Sequence, residues 1–176
     1  VSLEIFHTDL VVDLMEERTD VAIRAGPLKS SSLTARKLGT TRNVIVASPD
    51  YLGRHGTPRS PAELAKHCRI GFAYSRSVEG WPLRIDGEVA TVPGSRRLQV
   101  SDGEAMRHLV LGGAGLARLS AFTVKSDIEA GRLRQVLEEF NPGDIEEFHA
   151  VYIGQGGPLP ARVRALLEFL RENVHL

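Results

Sequence analysis

The sequence predicts a mixed α/β chain, and three observations carry that prediction. Short β-branched and apolar runs, Val21 to Arg24 and Val44 to Ala47 among them, are bounded by turn residues in the manner of buried strands. Other segments place apolar residues at three- and four-residue spacing. The clearest runs from Arg162 to Asn173, where Val163, Leu166, Leu167 and Leu170 share one face. Asp86-Gly87 separates two strand-like runs, Trp81 to Ile85 and Glu88 to Val92, and is the dipeptide a type I′ hairpin demands.

In chain order, Val1, Leu3 and Ile5 alternate with polar residues as a strand does. Asp9 is placed to cap a helix carrying Leu10, Leu14 and Met15. The strand Val21 to Arg24 ends at Gly26-Pro27, and strand–helix–strand in that order favours a parallel sheet. Leu33 to Leu38 and Val44 to Ala47 read as two further strands. Ser48-Pro49 opens a helical turn, and Ser60-Pro61 opens a short helix with Glu63 placed for a capping box. Strands are expected at Ile70 to Tyr74, on both sides of the hairpin turn, and at Arg97 to Val100. Ser101 then caps a helix that stops at Gly112-Gly113. A strand at Leu116 to Leu119, a helix from Val124 closed by Gly131, an extended run at Leu133 to Leu137, a last strand at Ala150 to Ile153 and the final helix complete the reading.

The chain has 176 residues, 42% of them hydrophobic and 25% charged, enough for one domain or two small lobes with a real core. Twenty-two basic residues balance 22 acidic ones, so no long-range attraction for a polyanion is expected and DNA reading would lie outside this chain. The single cysteine, Cys68, excludes an internal disulfide and a cysteine-built metal cage. Its Arg-Ile-Gly-Phe flank suits a buried structural thiol better than a reactive one. No apolar run approaches the roughly 18 residues that would span a bilayer, and no secretory signal is seen. The expected compartment is the cytoplasm.

Catalytic readings fare poorly. Ser101, Asp102 and His108 invite a hydrolase triad, but adjacent helical residues diverge by about 100° and no G-x-S-x-G elbow is present. The glycines at 113 and 115 follow a helix and precede a strand, the reverse of a phosphate cradle. The six histidines show no metal-binding spacing, so no metal or cofactor is expected.

Several stretches in a fixed order resemble the effector-binding domain of LysR-type bacterial transcription regulators. They are D-V-A-I-R-A-G from Asp20, V-A-S-P-D-Y-L from Val46, R-H-G-T-P-R-S-P-A-E-L from Arg54, W-P-L from Trp81, S-D-G-E-A-M from Ser101, G-G-A-G-L-A-R-L-S from Gly112 and E-A-G-R-L from Glu129. The resemblance implies two Rossmann-like α/β lobes joined by two crossovers, similar to periplasmic binding proteins of the second type. Residues 1–47 and 149–176 would form lobe I, and residues 48–148 lobe II. It also implies that a βα unit of lobe I, a DNA-binding helix-turn-helix and a linker helix have no counterpart here. At Arg118-Leu119-Ser120 the chain departs from the aliphatic residues and proline that are more frequent in the family.

A ligand held between two lobes needs converging polar groups and some apolar wall. Helix N-termini with free N–H groups suit carboxylates, which points to Thr8 and Asp9 at one helix start and Ser101 and Asp102 at another. Capping alone explains these residues equally well. Ser48 lies at the first crossover, where the resemblance implies a hydroxyl against the ligand, although turn chemistry also accounts for it. His108, two turns along from Ser101, either faces the cleft or solvent. Arg24 either reaches the cleft or pairs with a carboxylate. Phe72 and Trp81 are either cleft wall or core. The expected function is effector sensing by a non-catalytic homodimer, with larger assemblies in the full-length protein and DNA contacted only through the helix-turn-helix. Carboxylates, aromatic acids and sugars all fit as effector. The alternative is a free-standing solute-binding protein of the same fold.

Overall fold

The computed structural model describes residues 2–8, 14, 16–28, 33–74, 80–94, 97–154 and 158–176. The chain divides into two compact units, Val1–Thr41 with Ile145–Leu176, and Arg42–Asp144.

Unit 1 is built on strands β1 (Val21–Ala25), the first half of β2 (Thr34–Ala47) and β9 (Ile145–Tyr152), with helix α4 (Ala161–Asn173) against them. β9 lies between β1 and β2, and β1 pairs with it antiparallel from Val21 opposite Tyr152 to Ala25 opposite Phe148. Val163 and Leu167 of α4 bury against Ala150, with Val21, Leu38, Tyr152 and Leu170 around them. This is the stripe that the three- and four-residue spacing marks out. Arg162 ties the start of α4 to Asp20 through bonds of 2.8 and 3.0 Å.

Unit 2 forms around the second half of β2. The run Val44-Ile45-Val46-Ala47 is fully apolar because both of its faces are buried. Val44 and Val46 enter one core with Ile70, Met106, Val110, Leu119 and Val124. Ile45 and Ala47 enter another with Tyr51, Leu64, Trp81, Leu83, Leu116 and Leu137. Strands β7 (Ala117–Ser120) and β8 (Arg134–Gln135) both pair with β2 antiparallel. A parallel pair, β3 (Ile70–Phe72) and β6 (Leu98–Val100), is linked to the start of β7 by Ile70 N–H to Leu116 O and Leu116 N–H to Cys68 O, both 2.8 Å. Helices α1 (Pro49–His55), α2 (Gly103–Leu111) and α3 (Ala121–Glu129) and a short 3-10 turn at Pro61–Lys66 surround these strands. The hairpin β4 (Trp81–Ile85) and β5 (Glu88–Val92) turns at Asp86 and Gly87, whose φ values of 53° and 88° are those of a type I′ turn.

Several expectations are corrected. Residues 2–8 carry no strand, because alternation yields one only where a neighbour accepts its backbone bonds, and Leu3, Ile5 and Phe6 are exposed. β1 is not part of a parallel βαβ sheet; its neighbour is the returning strand β9, and the register is antiparallel. The two strands expected on either side of residues 39–43 are one 14-residue strand, since the polar run Thr40-Thr41-Arg42-Asn43 is β-competent and stays in the ladder. β9 starts earlier than its apolar core suggests, at Ile145. Ser60 makes no side-chain cap; Glu63 instead takes the N–H of Arg59 at 2.8 Å. Cys68 is half-buried. The helix expected from Asp9 lies mostly outside the described residues, within which Leu14 is buried.

Candidate functional site

The parallel pair β3 and β6 ends on one edge of unit 2. Phe72 stands opposite Val100, Ala73 N–H reaches Val100 O at 2.8 Å, and Gln99 Nε2 donates to Phe72 O at 3.1 Å. The carboxyl edge of parallel strands that feed a helix is where α/β proteins gather ligand-binding groups. At this edge the chain leaves β6 through Ser101 and Asp102 and enters α2.

Asp102, not Ser101, is the N-cap of α2. Its Oδ1 accepts the Ala105 N–H at 2.7 Å, while Ser101 Oγ donates to Asp102 Oδ2 at 2.8 Å. Both residue types cap well, and the extended backbone at Asp102 decides between them. Ser101 thereby stays exposed with its hydroxyl oxygen available to accept a bond. A Cβ built on Gly103 would meet nothing within 4 Å, so a small polar group can approach the first-turn amides. Phe72 half-buries against the second core, and its ring lies 5.2 Å from that of Tyr74, giving the edge an apolar flank. Ser101, Asp102 and Phe72 are thus brought together.

The other candidates are placed elsewhere. His108 sits on the exposed face of α2, with Nε2 3.2 Å from Glu104 Oε1. Ser48 is buried as the N-cap of α1, accepting the Tyr51 N–H at 3.2 Å. Its hydroxyl borders Gly113, whose carbonyl accepts a bond from Arg54 at 3.2 Å. Ser48 and Ser101 therefore flank opposite ends of α2, separated by roughly 15 Å of helix, and no single small ligand touches both. In unit 1, Thr8 is exposed within the irregular 2–8 segment, and Asp9 lies outside the described residues. Arg24 is half-buried on β1, directly opposite His149 of β9. The Nδ1 of His149 is buried without a hydrogen-bond partner, and its Nε2 lies 3.6 Å from Glu147, which Lys37 holds at 2.6 Å. The Lys37 bond keeps the Glu147 carboxyl below its ordinary range. Trp81 is buried in the first core.

Sequence reasoning missed a cluster around Tyr51. Its hydroxyl accepts the Cys68 N–H at 3.1 Å and lies 3.2 Å from His67 Nδ1, and its ring stacks on His55 at 4.5 Å. Burial, and then the neighbouring His55, lower the pKa of His67. The 16-residue separation of Tyr51 from His67 leaves no local signal in the sequence.

A family model described as the LysR substrate binding domain matches residues 1–175. The HTH-type transcriptional regulator CrgA of Neisseria meningitidis is 37% identical over 174 residues, 99% of this chain and 58% of that protein. The solved CrgA regulatory domain matches with a TM-score of 0.83 at 38% identity, covering 92% of this chain and 78% of that one. Full-length AphB of Vibrio cholerae, described as a virulence activator and a member of the LTTR family, matches with a TM-score of 0.74 at 29% identity, covering 94% of this chain and 55% of that one. The chain spans little more than half the length of the curated relative it matches. It has the α/β fold of these regulatory domains and belongs to the LysR substrate-binding-domain family.

Proposed function

We propose that this chain is the effector-sensing part of a LysR-type transcription regulator and that it acts without catalysis. The small molecule binds at the carboxyl edge of β3 and β6, where Ser101 supplies a hydroxyl, the first turn of α2 supplies N–H groups and Phe72 supplies an apolar wall. The reading rests on one observation above the others: a parallel strand pair and a helix N-terminus meet at this edge in a chain matched by the family model over residues 1–175. Lobe I is taken as residues 1–47 and 149–176 and lobe II as residues 48–148, and Thr8, Asp9 and Arg24 are candidate contacts of lobe I in its own right.

Because Asp102 already places a carboxylate on the α2 N-terminus, a ligand carboxylate competes with that cap. Neutral hydroxyl-bearing ligands meet no such competition. The ligand shifts a population of chain arrangements only as far as it binds one of them more tightly than the other. The functional form is a homodimer, assembling further in the full-length protein, which works in the cytoplasm and contacts DNA through a separate helix-turn-helix. A thermal-shift screen of the purified chain against small carboxylates, aromatic acids and sugars tests this. At least one compound is expected to raise the melting temperature in a saturable way, and the rise is expected to shrink in Ser101→Ala. A panel without any such compound contradicts the reading.

A further inference from the structure

We propose that a side-chain clasp within unit 2 ties the segment by which the chain enters that unit to the segment by which it leaves. The chain enters unit 2 at Arg42 and leaves it at Asp144. At the entry, Arg42 pairs with Glu138 at 2.8 Å, and the Asn43 carbonyl accepts a bond from Asn141 Nδ2 at 2.8 Å. Asn141 Nδ2 also reaches Glu138 Oε1 at 2.8 Å, so Glu138 and Asn141 form one bridge beneath the entering strand. At the exit, Asn141 Oδ1 accepts the Gly143 N–H at 3.0 Å in a tight turn, and the next residue, Asp144, is held by Arg118.

Arg118 makes the hold at the exit. It stands on β7 opposite Ile45 of β2, and its side chain is only 12% exposed. An aliphatic residue there would fill the same space without holding Asp144. A planar guanidinium that is largely withdrawn from water gives a firmer, more directional hold on a carboxylate than an exposed pair does. Entry and exit are thereby cross-linked through β2, β7 and residues 138–144, all within one unit. The clasp matters for signalling only if the units respond to a ligand as proposed above, but its existence is testable without any ligand.

The experiment is amide hydrogen exchange of the 176-residue chain and its variants, read by mass spectrometry on the peptide covering residues 141–147. Arg118→Leu is expected to accelerate exchange there at least tenfold, while the β4–β5 hairpin and α3 stay within twofold of the parent. Asp144→Asn, whose side chain reaches solvent and leaves the core untouched, is expected to reproduce the local change. Combining the two is expected to add nothing. Arg118→Lys is expected to restore part of the protection. Unchanged exchange at residues 141–147 in Asp144→Asn, an acceleration spread evenly over unit 2, or additive effects in the double variant would each overturn the clasp. If Arg118→Leu does not fold, Asp144→Asn alone decides the matter. Failure of the ligand screen with the exchange pattern intact would count against the proposed function and leave the clasp standing.

Discussion

Arg107 of α2 donates its Nε–H to Asp127 of α3 at 2.6 Å, and Asp127 has no exposed surface. Arg132 adds a second charged bond at 2.8 Å, and the Asp127 carbonyl accepts the N–H groups of Arg132 and Leu133. The Arg107 bond, opposed by burial and helped by Arg132, holds the Asp127 carboxyl below the ordinary carboxylate range. This residue ties α2, which carries the candidate site, to α3.

Asp127→Ala is expected to lower unfolding stability by about 3 kcal/mol, because the half-buried Arg107 loses its fully buried partner. Since the folded pKa of Asp127 is depressed, its contribution is complete above the unfolded value near pH 4 and fades as pH falls through the lower folded value. Urea unfolding of the parent and the variant at pH 7 and at pH 3 checks both statements. The gap between them is expected to narrow at the acid end.

A second pH dependence comes from His67. In the neutral His67 tautomer that carries its proton on Nε2, Nδ1 is free to accept the Tyr51 hydroxyl proton while that hydroxyl accepts the Cys68 N–H. Protonation removes the acceptor and places a charge beside His55. With its folded pKa lowered, His67 favours the folded state fully above its unfolded value near pH 6.5. That contribution declines as pH drops below 6.5 and through the folded value. Denaturant midpoints between pH 7.5 and 5 are expected to fall, and to fall less steeply in His67→Gln. Equal slopes in parent and variant would contradict the assignment.

The α/β class and the family were legible in the sequence because they rest on local patterns. The all-apolar Val44–Ala47 run, the Asp86-Gly87 turn and the stripe on α4 each fold as their spacing dictates. Pairing direction was not legible. The partner of β1 lies more than 120 residues away in sequence, so strand–helix–strand order could not reveal the antiparallel β9. At the candidate site, Ser101, Asp102 and Phe72 could each be picked out as polar or apolar candidates. Their meeting at one edge depends on the parallel register of Phe72 with Val100, which no local pattern encodes. Ser48 looked equivalent to Ser101 because both precede helices, yet their helices set them at opposite ends of α2.

Gly115 marks a close backbone approach. A Cβ there would lie 2.5 Å from the Cys68 carbonyl oxygen, the same carbonyl that accepts the Leu116 N–H. Gly115→Ala is expected to push β7 away from residues 68–70 and to cost about 1–3 kcal/mol. Gly53→Ala, where nothing lies within 4 Å of the added methyl, serves as the control and is expected to be neutral or slightly stabilising in its helix. Thermal unfolding of both variants distinguishes these outcomes.

The most direct test of the account is calorimetric titration of the best compound from the screen into the parent chain, Ser101→Ala and Ser48→Ala. The parent is expected to bind one molecule per chain, with affinity at least tenfold weaker in Ser101→Ala. Ser48→Ala is expected to lose about 1 kcal/mol of stability through its cap while keeping the affinity of the parent. Undiminished affinity in Ser101→Ala, or a loss confined to Ser48→Ala, would contradict the placement of the site at the β3–β6 edge.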